Sequence, residues 1–180
     1  VGDSIKVDSA PAIAKFRKLG ITPWLISGDS LQAANTIAQE AGIATENVRA
    51  AVLPDQKVDA IKELQSQGHH VLMIGDGVND AAALASADLS MAMGTGTDTA
   101  IAVADITLIR SDLTSAITAL KLSRKTLRII KGNLAWAFAY NVIGIPIAAA
   151  GLLSPMYAGA AMALSSIFVV TNSLRLRNFK

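Results

Sequence analysis

The sequence predicts an open α/β domain with a mostly parallel sheet, followed by a two-helix membrane hairpin. Three observations predict it. Short apolar runs alternate with helical patterns through the first 112 of 180 residues. No charged residue occurs from 132 to 174. All 14 carboxylates lie between Asp3 and Asp112, whereas eight of the 16 Lys/Arg follow that point. Eight cations against fourteen carboxylates leave the first part at −6, and the tail stands at +8. Such a split implies two environments, and a basic apolar tail points to a membrane rather than to nucleic acid. Basic residues interleaved with aromatics on a polar surface, which nucleic acid requires, are absent. The chain has no cysteine, so it offers no disulfide and no thiolate ligand. No signal peptide is visible, and because the chain opens on Val1 an upstream part is expected.

Element by element, the pattern predicts a helix over 9–19, with Ser9 as N-cap and Pro11 in its first turn. Strands are expected at 22–26, 47–50, 70–74, 89–92 and 106–109. Helices are expected at 30–41, 55–67, 80–86 and 98–103. Pro54 opens the third helix, and Gly20, Gly42 and Gly68 fit helix C-termini. Strand–helix alternation at this spacing builds a parallel sheet, whose sites lie at the carboxyl ends of its strands. A basic helix over 113–131 then leads into spans at about 133–153 and 156–174, broken at Gly151-Leu152-Leu153-Ser154-Pro155. Lys121, Arg124, Lys125, Arg128 and Lys131 precede the spans; Arg175, Arg177 and Lys180 follow them. By the positive-inside rule both ends of the hairpin, and the domain before it, lie in the cytoplasm. The expected division is therefore 1–112, a connecting helix 113–132, and a hairpin with its tail, 133–180. A soluble, buried helical hairpin is the alternative, which the basic flanks and the length of the run disfavour.

Three strand ends carry chemistry. Ser27-Gly28-Asp29 follows the first strand, Gly75-Asp76-Gly77-Val78-Asn79-Asp80 follows the third, and Pro54-Asp55-Gln56-Lys57 opens a helix between them. A hydroxyl and backbone N–H groups at a glycine turn can hold phosphate oxygens. A lysine adds charge opposite a transferring phosphoryl group. Two carboxylates on one tight loop suit Mg²⁺, a hard ion that prefers oxygen. Asn79 can donate to an oxygen. Together they form a phosphoryl-transfer site without its nucleophile. Taken alone, Ser27-Gly28-Asp29 is an ordinary capped turn and Lys57 an ordinary surface charge. The six-residue loop with two Gly, two Asp and an Asn is too costly for a simple connection. His69 and His70 read as structural, with no carboxylate near them in sequence.

Gly75-Asp76-Gly77-Val78-Asn79-Asp80-Ala81-Ala82-Ala83-Leu84 is similar to the hinge signature of P-type ATPases, GDGVNDAPAL. Ser27-Gly28-Asp29 resembles their TGD motif and Pro54-Asp55-Gln56-Lys57 their P-x-x-K motif. Met91-Ala92-Met93-Gly94-Thr95-Gly96-Thr97-Asp98 resembles the segment that follows. The order and spacing of all four agree. The resemblance implies a phosphorylation domain of the haloacid-dehalogenase type, with ATP as phosphoryl donor. It implies Asp76 and Asp80 at the Mg²⁺ site and Asn79 supporting phosphate. It places Lys57 on an aspartyl phosphate, Ser27 on one of its oxygens, and Asp29 by the nucleotide. Ser27 stands for the usual Thr, Ala82 for the usual Pro, and Ala102 where many members carry Glu. No DKTGT sequence occurs in this chain, so the phosphorylated Asp is not in it, and the chain alone is expected not to hydrolyse ATP.

The hairpin narrows the resemblance. Calcium, sodium and proton pumps of the family carry carboxylates in their transport helices, and zinc-type members carry Lys and Asp in the last spans; this hairpin has none. Tyr140-Asn141 and Met162-x-x-Ser165-Ser166 resemble the YN and MxxSS motifs of copper(I)-transporting members. That resemblance makes Tyr140, Asn141, Met162, Ser165 and Ser166 candidates for holding Cu⁺. A thioether is a soft, neutral ligand for a soft monovalent ion. With the turn centred near Ser154, Asn141 and Ser166 should stand level, ~18–20 Å from the turn, and Met162 a turn nearer the outer face. Pro146 frees the carbonyl of Val142, one turn from Asn141. Packing is the competing reading, with Ala158, Gly159, Ala161 and Ser165 as a small-residue face and Asn141 as interhelical glue. The CPC ligands of an earlier helix are not in the chain. The implied partners are the N-terminal part of the same pump, the lipid of a plasma (inner) membrane, and copper chaperones. A haloacid-dehalogenase phosphatase fused to a membrane anchor, or a non-catalytic half-protein, remain the alternatives.

Overall fold

The computed structural model describes residues 5–110, 112–152 and 154–177. Asp3, Leu153 and Lys180 lie outside the described residues. The chain divides into two units, Val1–Thr118 and Ala119–Lys180.

In the first unit, strands and helices alternate as α1 (Ser9–Lys18), β1 (Leu25–Ile26), α2 (Leu31–Ala41), β2 (Val48–Arg49), α3 (Pro54–Ser66), β3 (Leu72–Gly75), α4 (Ala81–Ser86), β4 (Leu89–Met93), α5 (Asp98–Val103) and β5 (Ile106–Leu108). Every strand pair is parallel. β1 pairs with β2, Leu25 opposite Val48, and β3, β4 and β5 form a second ladder with Ile74 opposite Met91 and Met91 opposite Ile106. The single sheet expected from sequence is thus two ladders. Among the described residues nothing pairs β1 with β3, so each presents one open edge. Alanines let helices sit close on these short strands. Leu84, Ala92 and Ala100 are fully buried, and Met73, Ile101 and Ala104 pack on them.

Local chemistry explains where the expected boundaries move. Ser9 is not the N-cap of α1; Asp8 is, without a side-chain cap bond, and the Ser9 N–H donates to the Lys6 carbonyl. The chain therefore enters α1 through a backbone turn. β1 starts late because Pro23 has no N–H and its carbonyl accepts from Asn47 Nδ2 at 3.3 Å. β3 starts late because the Val71 N–H donates to Asp88 Oδ2 at 2.8 Å. A 3-10 turn over Val78–Asp80 occupies the first residue expected of α4. Ser30 caps α2 through the Ala33 N–H. Gly20, Gly42 and Gly68 all have φ between 76° and 85° and close α1, α2 and α3 with the same paired bonds, as in Ile43 N–H to Ala38 O and Gly42 N–H to Gln39 O.

The helix α6 (Leu113–Ala149) begins in the first unit, where Asp112 Oδ1 accepts the Ser115 N–H at 2.6 Å, and continues into the second. It runs unbroken through 132, where a boundary between connecting helix and span was expected; a single glycine costs a helix only about 1 kcal/mol. It ends at Ala149 with Gly151 at φ 71°, the Leu152 N–H on the Ile147 carbonyl and the Gly151 N–H on that of Ala148. The return helix is α7 (Pro155–Leu174). Both helices are long and apolar enough to cross a membrane. Leu134, Phe138, Val142, Ile145, Leu164 and Val170 are exposed, which suits lipid and not a buried soluble hairpin.

Within this unit the less exposed residues define a seam. Among them are Ile129, Asn133, Ala137, Tyr140 and Gly144 on α6, and Ala158, Ala161, Ser165, Val169 and Asn172 on α7. Spacings of three and four are those of antiparallel helices packed side by side. Trp136 stacks on Phe168 beside the seam, with ring centroids 4.8 Å apart. Asn172 Nδ2 donates to Asn133 Oδ1 at 2.8 Å, and Asn133 Nδ2 donates to Ser173 Oγ at 3.1 Å.

Candidate functional site

The loop after β1 is stitched to the segment that leads into α3. The Ser27 N–H donates to the Arg49 carbonyl, the Val52 N–H to the Ser27 carbonyl, and the Ala51 N–H to the Asp29 carbonyl at 2.7 Å. The last bond holds Ala51 at φ 53°, a left-handed conformation that costs a non-glycine residue about 1–2 kcal/mol. The Ser27 hydroxyl donates to Asp29 Oδ2 at 2.7 Å, and the Asp29 N–H donates back to Ser27 Oγ at 3.1 Å. A hydroxyl has one proton. Ser27 can give it to a phosphate oxygen only by leaving Asp29, so Asp29 sets the resting orientation of the hydroxyl.

Helix α3 aims Lys57 at the loop after β3. Pro54 is in its first turn, and Gln56 Oε1 accepts the Leu53 N–H at 2.9 Å. Lys57 Nζ donates to Asp80 Oδ1 at 2.6 Å, with the two side chains only 14% and 13% exposed. Asp80 is wedged against the loop glycines: a Cβ on Gly75 would meet Asp80 Cβ and Oδ2 at 3.0 Å. Asp76 and Asn79 are exposed. The Asp76 carbonyl accepts the Thr97 N–H at 3.1 Å, and a Cβ on Gly96 would lie 2.7 Å from that same oxygen. The segment 94–97 therefore backs the loop by close backbone contact. This support was not weighed in the reading of sequence roles, although its glycines were visible in the motif.

The arrangement puts oxygens and donors of Ser27, Asp29, Asp76 and Asn79 in the loops that follow β1 and β3, with Asp29, Asp76 and Asn79 exposed, and a charged pair, Lys57–Asp80, ties α3 to the second of these loops. Among the described residues no group of three or more His, Cys, Asp and Glu could hold a metal by itself. Mg²⁺ binds through one or two carboxylates and fills its shell with water and phosphate oxygens, and Asp76 and Asp80 on one loop are such a pair. His70, read as lacking a carboxylate, has one from further along the chain: Asp88 Oδ1 lies 3.5 Å from its Nδ1, and His70 is 94% exposed.

In the second unit the candidate residues fall on two sides of the seam. Tyr140 and Ser165 share a groove of about 500 Å³ with Trp136 and Phe168. At 100° per residue, Asn141 and Met162 flank the seam on the side away from that aromatic pair. Asn141 is not interhelical glue within this hairpin. Its Nδ2 donates to the Ala137 carbonyl of its own helix at 2.8 Å, and Ser166 Oγ donates to the Met162 carbonyl at 3.1 Å. Asn141 Oδ1, Ser166 Oγ and the 63% exposed Met162 thioether remain as acceptors on this flank. The pairs Trp136–Phe168 and Asn133–Asn172 set the register. They put Asn141 opposite positions 163–164, between Met162 and Ser166, rather than level with Ser166. The shift arises because α6 stops at Ala149, so the turn is centred before Ser154. The interhelical contacts of Asn133, Asn172 and Ser173 escaped the sequence reading because no motif marks them.

A parallel α/β domain with phosphate-type loops at its strand ends, followed by membrane-crossing helices, defines a membrane protein with a haloacid-dehalogenase-like domain. Residues 1–88 match the family model described as haloacid dehalogenase-like hydrolase. Over 179 residues the chain is 52% identical to the cation-transporting P-type ATPase B of Mycobacterium bovis, covering 99% of this chain and 24% of that protein. It is 53% identical over 180 residues to the copper-exporting P-type ATPase of Bacillus subtilis, covering 100% of this chain and 22% of that one. A zinc-transporting PIB-type ATPase in its E2.Pi state superposes with a TM-score of 0.88 at 33% identity, over 97% of this chain and 28% of that one. The chain belongs to the P-type ATPase family. It spans about a quarter of the length of the curated relatives it matches. The match runs through both units, which leaves the anchored-phosphatase alternative without support.

Proposed function

We propose that this chain supplies the Mg²⁺ and phosphate site and two membrane helices of an ATP-driven copper(I) pump that passes through an aspartyl phosphate. Its soluble unit and both ends of the hairpin lie in the cytoplasm, in a plasma membrane, with copper(I) delivered by soluble chaperones. Lys57 and Ser27 balance phosphoryl charge, Gly28 lets the Ser27 loop approach it, Asn79 donates to its oxygens and Asp29 orients Ser27. Asp76, which is exposed, and Asp80, once Lys57 turns from it to the phosphoryl group, are the carboxylates that would hold Mg²⁺, which when bound would neutralise the transferring group. The proposed aspartyl nucleophile and the nucleotide site belong to other parts of the pump.

The observation that carries the copper assignment is the charge-free flank presenting Asn141 Oδ1 and the exposed Met162 thioether within one turn of each other. Neutral thioether sulfur suits the soft Cu⁺, and a flank without carboxylates leaves Zn²⁺ without a counter-charge. Tyr140, Ser165 and Ser166 complete the polar set on the same turns. The test is the number of Cu⁺ ions bound per intact pump under reducing conditions, with Zn²⁺ as control. Met162→Leu conserves volume, so it should cost under ~1.5 kcal/mol of stability while lowering copper stoichiometry and copper-stimulated ATPase activity. Asn141→Leu should do the same. If both variants bind as much copper as the parent, the hairpin is a packing element and the assignment fails.

A further inference from the structure

We infer that Asn133, Asn172 and Ser173 are positioning residues that lock the register of the hairpin, and so hold Asn141 within a turn of Met162. The inference rests on the transport reading for its consequence, but not for its geometry. The three residues lie at the basic end of the two helices, and each is partly buried. Asn172 donates to Asn133 at 2.8 Å, and Asn133 donates to Ser173 at 3.1 Å. Asn172 Oδ1 also lies 3.4 Å from Arg175 Nη1, at the weak end of hydrogen bonding. A Cβ on Gly132 would be 3.9 Å from Asn172 Nδ2, so the helices are close at this level.

The rest of the seam is poor at specifying register. Ala137, Gly144, Ala158 and Ala161 are small and alike, and Ile129 and Val169 are apolar without direction, so one turn of sliding would change the fit of Tyr140 and Ser165 and little else. Among the described residues, the ring pair Trp136–Phe168 adds a directional contact beside this seam to that of the Asn133 network. Paired side-chain amides differ from such contacts in kind. In hydrocarbon a slip of one turn, ~5.4 Å, would leave the amides without partners. A buried asparagine is the best attested means by which a helix pair selects one register. Asn133 stands eight residues before Asn141, and Asn172 ten after Met162. A lock at the inner end therefore sets the relative height of the two proposed ligands through straight helix, without touching either.

The absence of cysteine makes the register measurable. In the 180-residue chain reconstituted in lipid, Trp136→Cys with Phe168→Cys should cross-link with a short bismaleimide, and Trp136→Cys with Leu164→Cys at least fivefold less. Adding Asn133→Leu with Asn172→Leu should equalise the two yields. In the intact pump Asn172→Leu should raise the KM for copper about tenfold and change kcat at saturating copper less than twofold. Asn172→Gln, which keeps the amide, should restore both readouts. Cross-links unchanged by the leucine pair would overturn the lock. A slipped register with an unaltered copper KM would overturn the positioning role. Failure of Met162→Leu to affect copper would sink the transport reading alone, since the cross-linking result does not depend on it.

Discussion

At residue scale, the phosphate-site loops are held by bonds whose cost can be measured. Ala51 is the only described non-glycine residue with positive φ, and it earns that conformation by donating to the Asp29 carbonyl. Ala51→Gly keeps the donor and removes the Cβ clash, while adding freedom to the unfolded chain. The two effects oppose, and the first is larger. The variant should be more stable by about 0.5–1 kcal/mol in urea unfolding; a loss of stability would mean that the left-handed turn is not strained. Three carboxylates give the acid response. Hydrogen bonds from the Ser90 side chain and backbone hold Asp105 below the usual 3.8, those of Ser115 do so for Asp112, and the Val71 N–H and the Gln65 amide do so for Asp88. Each is lowered on folding, so each contributes stability that is complete above the unfolded value and lost as pH falls through the folded one. The α/β unit should therefore weaken below about pH 4. Asp105→Asn should flatten the slope of stability against pH between about 5 and 3, read from Trp24 fluorescence. An unchanged slope would remove Asp105 from that set.

At element scale, what was legible and what was not have different physical origins. Alternation of apolar runs, proline at the start of α3 and glycines past three helix ends marked most elements to within two or three residues, because those signals are local. The boundaries that moved were set by partners distant in sequence: Asn47 on the Pro23 carbonyl, and Asp88 on the Val71 N–H. The Lys57–Asp80 pair joins positions 23 apart, and no spacing rule gives it. Motifs named both residues, but not that one occupies the other. The backing of Asp76 by 96–97 is likewise a tertiary contact, and it makes Gly96 informative. A Cβ there would sit 2.7 Å from the Asp76 carbonyl and 2.8 Å from that of Met93, both backbone atoms that cannot swing aside. Gly96→Ala should cost about 1–3 kcal/mol and displace the Asp76 loop. Phosphoenzyme formation in the intact pump should fall at least tenfold. Gly132→Ala is the control, since its nearest neighbour is a side-chain atom at 3.9 Å and alanine favours helix by up to about 1 kcal/mol. Equal tolerance of both changes would show that the 94–97 segment does not support the site.

At the scale of the whole molecule, the charge split seen in the sequence maps onto the two units: carboxylates gather in the α/β unit and the membrane unit is basic at its flanks. The α/β unit has a feature that its own residues do not resolve. β1 bonds on one side to β2, and β3 on one side to β4, so among the described residues the parallel sheet is interrupted between them. Open strand edges are rarely left unprotected in a folded protein. The matched relatives are about four times longer, and in the proposed pump the segment bearing the aspartyl nucleophile would complete the ladder from outside this stretch. Backbone N–H groups of Leu25–Ile26 and Leu72–Gly75 that point away from β2 and β4 should then exchange hydrogen quickly in the 180-residue chain. In the intact pump they should be protected at least tenfold more, whereas amides of β4, already bonded on both sides, should change little. Amide exchange followed by proteolysis and mass spectrometry distinguishes the two cases. Equal protection of the β1 and β3 edges in both proteins would mean that this sheet closes without an added strand, and the phosphoryl site would have to take its nucleophile from another direction.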